Sequence, residues 1–461
     1  MRPHHITYHC DTETPITLFA KMAEEESYAF LFESAESHTT VGRYSFIGFD
    51  QRQTHVFESG GETNPLDTLR RAAYELNYEA SDELPRLQAG FVGFMSYETI
   101  RHFEKLDLPL NGTSTPEAIF FLPRFLVVFD HLKRTVTLIA YAEDELTVLK
   151  DLFARALTRQ NPTALAQRAG GSEETEAEME VETAKKKDFE ELLGQNSAQE
   201  FEKLVRQAQE DICAGEIFQV VLSQEFSAPT SLSALELYRR LRVTAPSPYL
   251  FNLRLPSFSV VGSSPETLVR VEEGEMIIRP IAGTRRRGET LQADEELEAD
   301  LLSDEKECAE HMMLVDLGRH DVGRVCEPGS VRMTQLMQPE RFSHLIHLVS
   351  EVRGRLTKEC DIFEAFRASF PAGTLTGAPK IRAMQLIADY EKTPRGIYGG
   401  AVGYFGLNET MDFAIAIRTM IHEKGSVKLR AGAGIVYDSQ PTNEYHECLN
   451  KARGPLSSLT H

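Results

Sequence analysis

No apolar run in this sequence reaches the roughly 18 residues that a membrane-crossing helix requires. No charged-then-apolar leader opens it either, so the expectation is a soluble, cytoplasmic protein. Positive charge is also short. The 49 Lys and Arg face 70 Asp and Glu, a formal charge of −21, which argues against nucleic acid or an anionic membrane as partner, since both are held mainly by Lys and Arg. If the substrate is an anion, cationic groups must be concentrated locally. The six cysteines (Cys10, Cys213, Cys308, Cys326, Cys360, Cys448) include no CxxC pair. That fits reduced thiols and excludes a disulfide frame or a cysteine-rich zinc site.

What is present begins with length: 461 residues, 41% hydrophobic, bury a large core and suggest two or three domains or one complex one. Tyr28–Phe49 reads as two apolar runs around a polar turn, a hairpin with Glu33 and Ser34 in apolar surroundings. A helix near Pro65–Leu76 is followed by strands beginning near Ala89, Ile119 and Thr135, rich in aromatic and β-branched residues. From about 158 to 195 the chain loses apolar content and becomes a charged linker, separating an N-terminal region, 1–157, from a second region, 196–461. Ser197 and Glu200 form a capping box, and Phe201, Leu204, Val205, Ala208 and Ile212 recur at helical spacing up to Gly215. Strands follow at Ile217, Tyr249, Ser259 and Met276–Thr284.

Two stretches carry a chemical pattern. In Ala431–Arg453, Gly432-Ala433-Gly434 reads as a small-residue loop whose N–H groups can meet an anion. Thr442 then opens a helix with Glu444 and Glu447 on one face. Alone, that pair reads as a solvated face with Lys451 as ion-pair partner; half of a hard-cation site is the sharper reading and requires a second pair. Glu307 and Glu310 supply one, at the same spacing, on a helix whose apolar side includes Met313, Leu314 and Leu317. Such an all-oxygen set suits Mg²⁺ better than zinc, and the calcium loop of about 12 residues with alternating acids is missing.

The strings PIAGTRRRG (280–288), FSHLIHLVSEVRG (342–354), FPAGTLTGAPKIRAM (370–384), GIYGGAVGYF (396–405), DFAIAIRTM (412–420) and AGAGIVYDSQPTNEYHECLNKAR (431–453) together resemble the chorismate-utilising enzymes, and within them the anthranilate-forming branch. The resemblance is strongest over 197–453. It implies a large α+β fold of stacked antiparallel sheets with helices outside. It implies Mg²⁺ held directly by Glu310 and Glu447, with Glu307 and Glu444 acting through water. Chorismate would be bound by Gly283, Thr284, Tyr398, Arg418, Lys451 and the amides of Gly432, Ala433 and Gly434. Glu266, Thr374 and His347 would be catalytic, Glu266 protonating the departing C4 hydroxyl and His347 serving the elimination of pyruvate. Without the resemblance, Glu266 reads as a strand-end surface acid and His347 as a core histidine.

Within the resemblance, Gln219 stands where water-adding relatives carry a lysine, and Ala282 where aminodeoxychorismate synthases typically carry one. That leaves ammonia as nucleophile, with aminodeoxychorismate or aminodeoxyisochorismate formation, or a catalytically silent chorismate-binding subunit, as alternatives. No cysteine lies in a GxCxG elbow, so ammonia is expected from a separate glutaminase subunit. A tryptophan site is also implied, from Leu31–Ser34 and Ala245–Leu250, with Ser34, Pro248, Tyr249 and Leu250 as contacts. Phe32 and Ala245 depart from its usual pattern.

Overall fold

Alternation with a period of two governs the strands and decides which residues meet. Ala29 and Leu31 join one buried cluster and Phe30 another; Phe91 and Met95 divide from Val92 and Phe94 in the same way. The cluster that holds Phe30, Phe46, Phe94, Phe121, Phe251 and Phe258 takes no residue from a helix. It is therefore the interior where the sheet faces itself, and each fully buried Phe there contributes about 1.5–3 kcal/mol. Helices cover the outer faces. One cluster holds Phe19, Phe153, Phe201, Leu237 and Leu386 against strand residues such as Phe125 and Leu222, and another holds Leu66, Val315 and Phe366 against Phe120 and Phe413.

The computed structural model describes residues 1–34, 42–110, 112–113, 115–160, 194–342, 345–423 and 425–459. Within them, 19 strands form a hydrogen-bonded antiparallel network. The expected linker lies largely, from 161 to 193, outside the described residues, as does the turn of the first hairpin. The hairpin arms, Ala29–Glu33 and Tyr44–Phe57, do pair. Segments before and after the linker share sheets and cores: Gly90–Met95 pairs with Ala401–Gly406, and Ala29–Glu33 with Tyr249–Arg254. The large antiparallel sheet with outer helices is the fold the sequence implies.

Four local expectations are corrected. Gly432-Ala433-Gly434 is not a loop; it is the end of the strand Ser426–Ile435, paired with Gln219–Pro229. The glycines serve close approach, because a Cβ at Gly432 would lie 2.6 Å from the Leu222 carbonyl oxygen and one at Gly434 would lie 2.8 Å from Gln219 Nε2. The last helix opens at Pro441 after Gln440, not at Thr442, whose hydroxyl instead donates to Glu202 Oε1 at 2.8 Å. Proline at the first turn needs no N–H partner, which suits it to start a helix. The single strand expected over Met276–Thr284 is two, Glu275–Ile278 and Ile281–Arg286, broken at Arg279-Pro280. Finally, the helix Glu305–Gly323 buries Val315, Gly318 and Val322, while Met313, Leu314 and Leu317 are only half-buried. Leu314 and Leu317 turn toward cavities instead.

Candidate active site

A cavity of about 510 Å³ opens where the Gln219–Pro229 and Ser426–Ile435 strands meet the helices Glu305–Gly323 and Pro441–Leu456. Its wall includes Gln219, Glu266, Glu310, Thr374, Tyr398, Arg418, Gly432, Gly434, Glu444, Glu447 and Lys451. Most of the residues singled out in the sequence thus converge, from segments as distant in the chain as Gln219 and Lys451. Gly283, Thr284, His347, Glu307 and Ala433 do not line this cavity. The Ala433 side chain lies in the helix-covered core, as alternation along its strand requires.

Glu266 sits beside a bulge between Thr267 and Val269 in the pairing with Met411–Ile415. Its carbonyl accepts the Ile415 N–H at 3.0 Å and its N–H donates to Ser264 Oγ at 3.3 Å. The Thr374 hydroxyl donates to its Oε1 at 2.9 Å. Burial pushes its carboxyl up to about 7, against the Thr374 hydrogen bond and the charges of Lys451 and Arg418. A carboxylic acid still protonated near neutral pH can deliver a proton to a leaving group.

Arg418 has φ +49°, a left-handed backbone uncommon for a bulky residue. Its guanidinium lines the cavity and has no hydrogen bond or ion pair among the described residues. Burial pulls its pKa down and Glu266 pulls it back up. A desolvated guanidinium without an internal partner is a demand for an anion, and its fork matches a carboxylate.

Ile281–Arg286 and Leu345–Arg355 pair so that Thr284 faces His347, with a bulge at Gly283. Gly283 has φ +72°, and the bulge frees its carbonyl to meet His347 Nδ1 at 2.9 Å; the Thr284 hydroxyl is 3.2 Å from the same nitrogen. A carbonyl oxygen only accepts, so the proton sits on Nδ1 and Nε2 keeps its lone pair. Burial lowers the imidazole pKa, partly offset by the Gly283 carbonyl and reinforced by Arg418. His347 is therefore held as the neutral tautomer with its proton on Nδ1 and a free lone pair on Nε2.

The acidic pairs are arranged less tightly. Burial raises the carboxyl of Glu310, with Lys306 easing it and Glu307 and Glu447 adding to it; burial likewise raises Glu444, with the Ser439 hydroxyl easing it and Glu447 adding to it. Glu310, Glu444 and Glu447 thus face one cavity and repel, which favours a cation. The donors are all carboxylate oxygens, so a hard ion fits. Among the described residues no ready-made cluster of three ligands exists. Lys451 Nζ stands 2.6 Å from Glu447 Oε1, the ion pair that charge patterning alone suggested, and donates to the Gly432 carbonyl at 3.1 Å. Glu307 is drawn aside, 3.6 Å from Arg285.

Sequence reading missed Lys306, Arg430, Gln440 and Asn443, which also line the cavity. Lys306 had a visible signal, four residues before Glu310 on the same helix face.

A family model described as chorismate binding enzyme matches residues 27–457. The chain belongs to the chorismate-binding enzymes. Among curated relatives, anthranilate synthase component 1 of Mycolicibacterium smegmatis is 41% identical over 97% of this chain and 89% of its own length. The component 1 protein of Streptomyces coelicolor is 42% identical over 99% and 88%. The crystal structure of anthranilate synthase component I from Streptococcus pneumoniae superposes with a TM-score of 0.79 at 35% identity, covering 97% of this chain and 98% of that one. The menaquinone-specific isochorismate synthase of Escherichia coli, 19% identical with a TM-score of 0.74, shares the chorismate-binding fold and covers 99% of this chain and 94% of its own.

This chorismate-binding chain carries a second cavity, of about 50 Å³, at the edge between Ala29–Glu33 and Tyr249–Arg254. Phe32, Glu33, Ser34, Pro248, Tyr249 and Leu250 line it, so the two segments suggested for a tryptophan site do meet. Phe32 occupies part of the space, its ring 4.8 Å from that of Phe30. Glu33 is already engaged: it accepts the Tyr238 hydroxyl at 2.6 Å and lies 3.3 Å from Arg242.

All six cysteines are free thiols. No helix among the described residues is long and apolar enough to cross a membrane.

Proposed function

We propose that the chain is the large subunit of an anthranilate synthase, converting chorismate and ammonia to anthranilate, pyruvate and water in tryptophan biosynthesis, in the cytoplasm. The observation that carries this reading is the pairing of Glu266 with a partnerless Arg418 in one buried cavity, an acid beside an anion receptor. Arg418 receives a substrate carboxylate, and Tyr398 with the bare backbone of Gly432 and Gly434 leaves room for the ring. Glu266 protonates the C4 hydroxyl, which leaves as water while ammonia bonds to C2. The ammonium formed at C2 gives up one proton, which restores Glu266. His347 Nε2 then takes the C2 proton, the pair from that bond completes the aromatic ring, and the C3–O bond breaks to release enolpyruvate, which takes a proton at its methylene carbon to become pyruvate. Mg²⁺, when bound, would supply positive charge to neutralise the ring carboxylate; Glu310 and Glu447 would hold it, supported by Glu444 and, once released from Arg285, by Glu307. The lack of a cationic side chain at Gln219, in the cavity wall, agrees with ammonia instead of activated water.

The test is a fluorescence assay of the purified chain with chorismate, Mg²⁺ and ammonium at alkaline pH, with anthranilate as the expected product. An accumulating non-aromatic amine would overturn the aromatising step. The relatives are named as one component of their enzyme, and no cysteine here is framed as a glutaminase nucleophile. Glutamine is therefore expected to replace ammonium only when a separate glutaminase subunit is added; glutamine-dependent turnover by the pure chain would refute the division of labour.

The same reading assigns feedback by tryptophan to the second cavity. Ser34 and Glu33 are suited to an ammonium group, and Pro248 with Tyr249 to a flat indole. Because the cavity is small and Phe32 must yield, binding has to remodel it, and a ligand that prefers one arrangement shifts chorismate affinity by the same coupling it feels itself. Initial rates titrated with tryptophan should fall for the native chain and stay level for Ser34→Arg. Equal curves for both, or no inhibition, would remove the site.

A further inference from the structure

We propose that Thr267 is a positioning residue for the reaction: its hydroxyl, tied to Tyr249 and through it to Asp412, fixes the backbone that carries Glu266. The inference rests on reading Glu266 as the general acid. Among the described residues the Glu266 side chain is held by one hydrogen bond, from Thr374, so its aim depends on the backbone beneath it. On one side that backbone is held by the ladder, the Glu266 carbonyl accepting the Ile415 N–H at 3.0 Å; on the other the ladder shifts, since Thr267 pairs with Ala414 and Val269 with Phe413 across an intervening bulge.

The tether comes from a side-chain network on the other face. Thr267 is 9% exposed, and its Oγ1 is 2.9 Å from the Tyr249 hydroxyl. That hydroxyl donates to Asp412 Oδ1 at 2.8 Å, while Arg270 Nη2 donates to the Tyr249 oxygen at 3.1 Å. Asp412, 5% exposed, also receives Arg270 Nε at 3.1 Å and has Arg86 Nη2 at 3.1 Å. Despite its burial, Arg270 and Arg86 keep Asp412 ionised, so it can only accept. The direction of each bond follows. Tyr249 spends its proton on Asp412, and Thr267 must donate to Tyr249. A buried network with every direction assigned is rigid, and this one ends one residue from the acid.

The experiment is steady-state kinetics across pH with chorismate and ammonium for Thr267→Val, which keeps the shape but not the hydroxyl, and for Thr267→Ser, which returns it. In Thr267→Val, Tyr249 keeps Asp412 and Arg270, so no polar group is orphaned. Thr267→Val is expected to lower kcat about tenfold, within the range that sub-ångström to ångström misplacement of a reacting group produces. KM should stay within about twofold, as for a loss felt mainly in the transition state. The high-pH limb should move to lower pH, since a looser Glu266 admits water while Arg418 and Lys451, the charges that face it, stay in place. Thr267→Ser should restore both rate and limb. A folded Thr267→Val with native kcat and pH profile, or a Thr267→Ser that fails to restore them, overturns the proposal. If Thr267→Val does not fold, Tyr249→Phe removes the same anchor and is judged by the same criteria. Glu266→Gln separates the two readings: native turnover in that variant removes the acid and the positioning role together, whereas its inactivity beside a native Thr267→Val removes the positioning role alone.

Discussion

Glu266→Gln is expected to lower kcat by about 10³-fold, in the middle of the range for loss of a general acid, with KM for chorismate changed only a few-fold. Glutamine keeps the size of the side chain and can still accept the Thr374 hydroxyl, so the fold and cavity survive. What disappears is the proton. The pH profile gives an independent check with a defined sign. Glu266 acts in its protonated form, and burial holds its carboxyl up to about 7, so kcat/KM for the native chain should fall as pH rises through that region. Ammonia acts in its neutral form and is lost to protonation as pH falls, which supplies the opposite limb. In Glu266→Gln the descending limb should be missing while the ascending one remains. Full activity in the variant, or an unchanged descending limb, would assign the proton to another group.

The period-two strands and the capped helices were legible because each is decided locally: Ser197 and Glu200 cap as their spacing says, with the Ser197 side chain accepting from the Glu200 N–H. The misreadings have a common cause. Gly432-Ala433-Gly434 looks like a loop because glycine signals freedom, yet here it signals proximity, and the neighbours that demand it, Leu222, Tyr398 and Gln219, are distant in sequence. Likewise Leu314 and Leu317 follow helical spacing, but only the placement of the helix shows that they meet cavities. The identities of Glu266, His347 and Arg418 as a set came from resemblance and from no local rule, since His347 and Arg418 are lone polar residues in apolar runs and Glu266 follows the polar end of a strand. Their environments then give physical reasons the sequence could not: a bulge at Gly283 that fixes the histidine tautomer, and a left-handed Arg418 without an internal partner.

Glu447→Gln and Glu310→Gln are each expected to lower turnover by about 10²–10³-fold, the scale found when one electrostatic contact to developing charge is removed. Activity alone cannot separate a ligand from a structural acid, so the deciding readout is thermal stability with and without Mg²⁺. Without metal, Glu447 adds to the repulsion that Glu310 feels across the cavity, so Glu310→Gln should leave the melting temperature unchanged or slightly higher, and Glu447→Gln, which gives up only a half-exposed ion pair with Lys451, should leave it nearly unchanged. A structural acid would lower it. With Mg²⁺ at about one hundred times its Kd, the native chain should gain about 2.7 kcal/mol from binding, and each variant should gain far less. Glu305→Gln, on the exposed side of the same helix, makes the same change of charge and should keep the native response. Lys451 adds a further expectation. Its ammonium now lies against Glu447, so a divalent ion must displace it, and Lys451→Met should bind Mg²⁺ more tightly by calorimetry. Full turnover in EDTA, or an equal Mg²⁺ shift in Glu447→Gln and the native chain, would mean that these carboxylates do not hold the metal.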